Sequence, residues 1–273
     1  METGAITGYF DVAQIVLYAF WIFFFGLILY LHRENKREGY PLESDRSKHI
    51  KVVGFPDMPP PKEYLLPHGG GTRQIPRPDP EPYPLAAKPV AGWLGAPLHP
   101  SGNPMVDGVG PAAYAIRPEV PDLTHDGVPK IVPMRVATDF SVEPRDPDPR
   151  GKPVMGADGA VGARVVDIWV DRAEPQIRYL EIEVASERKA PYEDDDAPET
   201  SVATHRTLLP INFVRISKDG QRVKVVSIKS NQFAWAPGLA KPDQVTLQEE
   251  DKICAFYGGG HLYAMPSRTE PWL

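Results

Sequence analysis

The chain has 273 residues, with 30 Lys and Arg against 36 Asp and Glu, for a formal net charge of −6. That balance argues against a nucleic-acid partner, whose binding needs a basic surface. A single cysteine, Cys254, excludes an intramolecular disulfide and suits a reducing compartment.

From residue 12 to residue 31 the chain carries no charge, and Gln14 is its one strongly polar side chain there. At ~1.5 Å per residue a helix of that length covers ~30 Å, the hydrocarbon thickness of a bilayer. A signal peptide fits poorly: no Lys or Arg precedes the run, the run is too long, and no small-x-small cleavage site follows it. A buried core helix fits poorly because Tyr18, Phe20, Trp21, Phe23, Phe24, Phe25 and Tyr30 crowd every face. The expectation is therefore a short N-terminus over 1–11 and a transmembrane helix over 12–32. Arg33, Lys36, Arg37, Arg46, Lys48 and Lys51 follow the span, while Glu2 and Asp11 precede it. Basic flanks resist translocation, which predicts a cytoplasmic C-terminal side and an N-terminus facing out. Tyr9, Phe10 and Tyr30 stand where interfacial rings are favoured. With no ionisable residue in the span, it is expected to pack against neighbours or lipid and to ligate nothing.

Residues 33–150 read as a Pro-rich extended segment. Of 32 prolines, 23 fall between Pro56 and Pro153, a density that excludes long helices and central strands. Phe55, Tyr64, Leu65, Leu66, Tyr83, Trp93, Leu94, Tyr114, Ile131, Val132 and Met134 interleave with them, whereas disordered linkers are poor in such residues. An extended chain laid across a partner is the favoured reading, and a Pro-rich tether is the other.

Residues 151–240 change to short strands. Val154-Met155-Gly156 leads to an Asp158-Gly159 turn, then to a strand from Ala163 to Val170. Glu174-Pro175 marks a second turn before 177–184, and the strands 208–216 and 222–228 join across Asp219-Gly220. These spacings predict a small antiparallel barrel or strongly bent sheet. Alternation sets Arg178, Leu180, Ile182 and Val184 on one face, and Tyr179, Glu181 and Glu183 on the other. The acidic run 193–199 reads as a solvated loop. Residues 241–273 form a C-terminal segment in which 248–253 opens a short helix, ended by a break at Gly258-Gly259-Gly260.

Signatures of hydrolases, zinc proteases, thiol redox enzymes and phosphate loops are absent, and the seven histidines are scattered without a metal-ligand pair. No catalytic, cofactor-binding or metal residue is expected. The acids Asp167, Asp171, Glu174, Glu181 and Glu183 have two readings: a solvated sheet face, or a proton relay of coupled carboxylates.

Arg37-Glu38-Gly39-Tyr40-Pro41-Leu42 just after a single span resembles the H subunit of purple bacterial photosynthetic reaction centres. The resemblance continues through Leu66-Pro67-His68-Gly69, Asp107-Gly108-Val109-Gly110-Pro111-Ala112 and Pro129-Lys130-Ile131-Val132-Pro133-Met134. It recurs at Val166-Asp167-Ile168-Trp169-Val170-Asp171, Arg178-Tyr179-Leu180-Glu181 and Glu249-Glu250-Asp251-Lys252-Ile253-Cys254. It implies one transmembrane helix, a mainly β cytoplasmic domain with a PRC-type barrel, and a place in the bacterial inner (intracytoplasmic) membrane. Implied partners are the L and M subunits, the light-harvesting 1 antenna and membrane lipid. L and M hold bacteriochlorophyll, bacteriopheophytin, quinones and non-haem iron, and this chain itself binds none of them. The implied role is to cap L and M, stabilise the complex and help conduct protons to the secondary quinone. Carried over by position, Asp171 and Glu174 are the carboxylates nearest that route, and Arg178 and Glu250 are a charged pair that tunes them. Some family members carry a histidine-rich stretch for proton uptake where this chain has only His125 and Asp126. On the family pattern the acidic run 193–199 resembles an insertion, with an antenna contact or a proton lure as further readings. A membrane-tethered PRC-barrel adaptor for another partner is the alternative, because the barrel module also occurs in ribosome-maturation factors.

Overall fold

The computed structural model describes residues 4–7, 11–40, 54–76, 84–93, 95–184 and 205–269. Tyr9, Phe10, Pro41, Leu42, Arg46, Lys48, Lys51, Tyr83, Leu94 and the acidic run 193–199 lie outside them. The chain divides into two compact units, Met1–Pro84 with Trp93–Gly95, and Leu85–Gly92 with Ala96–Leu273.

In the first unit, α1 spans Val12–Arg37, and its apolar window is uncovered by the rest of the chain. Asp11 caps its start by accepting from the Gln14 amide at 2.7 Å. The helix runs five residues past the expected end at 32, because charge ends a membrane span without ending a helix. It stops at Gly39, whose φ of +88° lets the chain turn back. Gly39 N–H then donates to Lys36 and Tyr40 N–H to Asn35, closing a Schellman motif. That geometry is the local reason for the Glu38-Gly39-Tyr40 sequence. The same unit holds a hairpin of β1 (Lys62–Leu65) and β2 (Thr72–Ile75).

The second unit begins with the small pair β3 (Ala87–Pro89) and β4 (Leu98–Pro100). Its main sheet contains β5 (Ile131–Pro133), β6 (Pro153–Met155), β7 (Val161–Asp171), β8 (Gln176–Val184), β9 (His205–Pro210), β10 (Val214–Ile216) and β11 (Val223–Val225). They run β10-β11-β6-β7-β8-β9, with β5 also on β7. β8 occupies one edge of β7; β5 and β6 share the other, at its C-terminal and N-terminal ends. The expected Pro-rich segment 33–150 is therefore divided: its first part lies in the unit of the helix, and residues 131–133 are a strand of the main sheet. Pro133 is tolerated because it closes an edge strand.

The mainly β domain has the expected character, with four corrections of detail. One pair, β6 with β11, is parallel, a crossover that turn signals do not reveal. The expected strand 208–216 is two strands separated by a 3-10 turn, Ile211–Phe213, and the strand expected over 222–228 is confined to Val223–Val225. Bulges next to Val165 and Trp169 disturb the alternation of β7, so Asp167 to Asp171 are all buried. Trp169, Ile168, Leu180, Ile182, Leu208 and Leu209 form the core with Phe233, Ile253, Phe256 and Tyr257.

Ile253, Phe256 and Tyr257 come from α2 (Leu247–Tyr263), capped by Thr246 in a reciprocal box with Glu249. The break expected at Gly258-Gly259-Gly260 is absent; the helix runs through it. A Cβ at Gly259 would stand 2.5 Å from Ala112 Cβ, and one at Gly260 2.4 Å from Ile228 Cγ2. These glycines serve close packing, and tertiary contact offsets their poor helix propensity of about 1 kcal/mol each.

Candidate functional site

The six residues singled out above all fall in the second unit. Asp171 ends β7 and is fully buried. Its Oδ1 accepts from the amides of Ala173 at 2.9 Å and Glu174 at 3.0 Å, which fixes the turn into β8. Its Oδ2 lies 3.5 Å from Lys130 Nζ and accepts no hydrogen bond. Lys130 directly precedes β5, and its Nζ also lies 3.7 Å from Asp122 Oδ2.

Glu250 approaches from the first turn of α2. Tyr179, on β8, donates its hydroxyl to Glu250 Oε2 at 2.7 Å and lies 3.9 Å from Cys254 Sγ. Burial pushes the Glu250 carboxyl above its ordinary range. The Tyr179 hydrogen bond and the charges of Arg178 and Lys130 pull it back down, while Asp122 pushes it further up. Burial also drives the Tyr179 phenol upward, with Glu250 beside it, so Tyr179 remains a proton donor. Arg178, Lys130, Asp122 and Glu250 thus form one electrostatic group, with Asp171 joined to it through Lys130.

Glu174 sits exposed in the turn capped by Asp171 and accepts from Gln176 Nε2 at 3.2 Å. His125 and Asp126 are exposed at the tip of a small hairpin, where Leu123 bridges Pro129 and Thr124 N–H donates to Val128 at 2.9 Å. The hairpin base is Asp122 and Lys130, joined by the Lys130 amide donating to the Asp122 carbonyl at 2.8 Å. One short element therefore carries solvent-facing titratable groups at its tip and two members of the half-buried group at its base.

Sequence reasoning missed Asp122, Lys130 and Tyr179. Lys130 and Tyr179 stand inside the blocks quoted above, but nothing in their spacing signals that they meet Asp171 and Glu250 across the fold.

The wider set of acids is split. Asp167 Oδ2 and Glu181 Oε2 both contact Arg135 Nη1, at 3.1 and 2.5 Å. Glu181 also accepts from Trp169 Nε1 at 3.0 Å and meets Arg206 at 3.4 Å. Both are buried, so the solvated-face reading does not describe them. They form an ion network that ties the turn after β5 to β7 and β8, and Arg135 reaches Asp243 at 3.0 Å as well. The strand rule for faces missed this because Tyr179 and Glu181 are as buried as Leu180 and Ile182, each by a polar partner.

Comparison with known families gives two matches. Residues 4–136 match the family model described as photosynthetic reaction centre, H-chain N-terminal region. Residues 142–232 match the PRC-barrel domain. His125 and Asp126 lie in the first match, Asp171, Glu174 and Arg178 in the second, and Glu250 beyond both. With an apolar helix long enough to cross a bilayer ahead of a mainly β domain, the chain is a single-pass membrane protein that associates with other reaction centre subunits. Matched in order over most of its length, it belongs to the photosynthetic reaction centre H-chain family.

Proposed function

We propose that this chain caps the cytoplasmic face of the L and M subunits, stabilises the complex, and helps carry protons to the secondary quinone. Asp171, Glu174, Arg178, Glu250, His125 and Asp126 are assigned to that route. The observation that carries the reading is Glu250, a half-buried carboxyl whose affinity for protons is raised, hydrogen-bonded to Tyr179 and set among Arg178, Lys130 and Asp122. Such a group changes protonation when a negative charge arrives nearby, and hands the proton on when that charge is neutralised. Asp171, fully buried with one oxygen free of hydrogen bonds, is the inner acceptor, and the hairpin tip meets water. The bacteriochlorophylls, bacteriopheophytins, quinones and non-haem iron belong to the partner subunits in this reading, and the chain acts without catalytic chemistry of its own. Its N-terminus faces the periplasm, its domain faces the cytoplasm, and the bacterial inner membrane, with the antenna and lipid, surrounds its helix.

Purification through this chain in mild detergent tests the assignment. A complex absorbing in the near infrared is expected. A colourless protein without pigmented partners would replace this reading with that of a tethered adaptor.

A further inference from the structure

We propose that the loop 54–60 is a second membrane contact, in which Phe55 and Met58 enter the boundary between lipid headgroups and acyl chains beside the end of α1. The proposal rests on the single-pass span and is independent of the proton role.

The last turn of α1 is unusual because its two cations are buried: Lys36 is 5 % exposed and Arg37 6 %. Lys36 Nζ donates to the carbonyl of Gly54 at 2.8 Å and to that of Pro56, the two residues flanking Phe55. Arg37 Nη1 donates to the carbonyl of Pro60. Both cations also face the negative end of the helix dipole, which favours them there. They hold loop 54–60 to the helix terminus, so neither is free to meet a lipid phosphate. Glu34 extends the clamp, accepting from Lys62 Nζ at 2.6 Å at the start of β1.

The clamp fixes the depth of the loop. Lys36 lies five residues beyond Leu31, the end of the uncharged run, or ~7–8 Å along the axis. The polar layer on each side of the hydrocarbon is about 5–8 Å deep, and helix tilt shortens the distance further. Within the loop Pro56 and Pro59 are buried, while Phe55 is 79 % and Met58 57 % exposed. A ring and a thioether thus project from a rigid loop at headgroup level, where aromatic residues are favoured. The loop carries one carboxylate, the exposed Asp57, whose charge opposes binding to anionic lipid. The apolar surface of α1 is itself uncovered, so the surface offered by Phe55 and Met58 continues an interface that already faces lipid.

The test uses full-length protein, with the reaction centre subunits that co-purify, in vesicles of phosphatidylcholine and phosphatidylglycerol. In a Cys254→Ser background, Phe55→Cys and Met58→Cys each carry a nitroxide, and its accessibility to oxygen and to a water-soluble nickel chelate is measured. Lipid contact predicts an oxygen-to-nickel ratio at least about threefold above that of free label in buffer. It also predicts that Lys36→Met returns the ratio toward the free value. High nickel access would overturn the proposal in favour of a solvated loop. Low access to both reagents would overturn it in favour of a protein partner, and an unchanged ratio in Lys36→Met would overturn the clamp.

Discussion

The Tyr179 hydroxyl donates to Glu250 Oε2 at 2.7 Å, joining the middle of β8 to the first turn of α2. This bond loosens the hold of Glu250 on its proton, because it stabilises the ionised form against the larger effect of burial. Tyr179→Phe removes that support and is expected to raise the Glu250 midpoint further. Arg178→Gln is expected to act in the same direction. The infrared band of the neutral carboxylic acid that disappears in Glu250→Gln should persist to higher pH in both variants; a shift to lower pH would show that the hydroxyl does not stabilise the carboxylate.

Glu250 also has a stability signature. Its folded value lies above the ordinary 4.5, so between 4.5 and that raised value the folded state holds the extra proton. The contribution of Glu250 to stability is therefore present below 4.5 and lost as pH rises through the window. Glu250→Gln should flatten the dependence of the thermal midpoint on pH across that interval. A parallel shift at every pH would mean that Glu250 does not titrate there.

Glu174→Gln is expected to slow proton-coupled reduction of the secondary quinone and leave primary charge separation intact, read by flash absorption. Replacing His125 and Asp126 together should slow proton uptake from water, measured with a pH-sensitive dye. Unchanged kinetics in either variant remove those residues from the route.

Arg135→Met leaves Asp167 and Glu181 buried without their shared cation. A loss of about 2–4 kcal/mol is expected, below the value for a fully enclosed pair because a third of the Arg135 side chain meets water. Arg135→Lys should recover part of it, since it restores charge but not the fork that serves two carboxylates and Asp243. Chemical denaturation of the variants against the parent protein checks both.

Gly259→Ala places a methyl group 2.5 Å from Ala112 Cβ. Overpacking should outweigh the gain in helix propensity and cost about 1–3 kcal/mol. Adding Ala112→Gly should return most of the loss in a double-mutant cycle. Additive effects would refute the close approach as the reason for the glycine.

What was legible in the sequence follows from how local each signal is. The span, the Asp158-Gly159 and Asp219-Gly220 turns and the strands around Trp169 depend on neighbours in the chain, and each is visible there. The parallel pairing of β6 with β11 and the placement of β5 on β7 are long-range, and no turn residue marks them. Gly258-Gly259-Gly260 misled because a glycine run is a break in isolation and a packing surface once Ala112 and Ile228 stand opposite. The same limit governed the site. Asp171 and Glu250 were identified by resemblance, but Lys130 and Tyr179, which hold them, join them only after β5, β7, β8 and α2 assemble.

The shared edge of β7 bears on where this protein can be cut. The two matched modules meet between residues 136 and 142, yet Ile131–Pro133, from the first, completes the sheet of the second. A PRC-barrel excised at residue 142 would leave the backbone of residues 169–171 unpaired along an apolar edge, a template for aggregation. It would also strip Lys130 from Asp171 and Arg135 from Glu181. A barrel that keeps these contacts must begin upstream of Lys130, and the seam between the modules is a boundary of sequence similarity that folding does not respect.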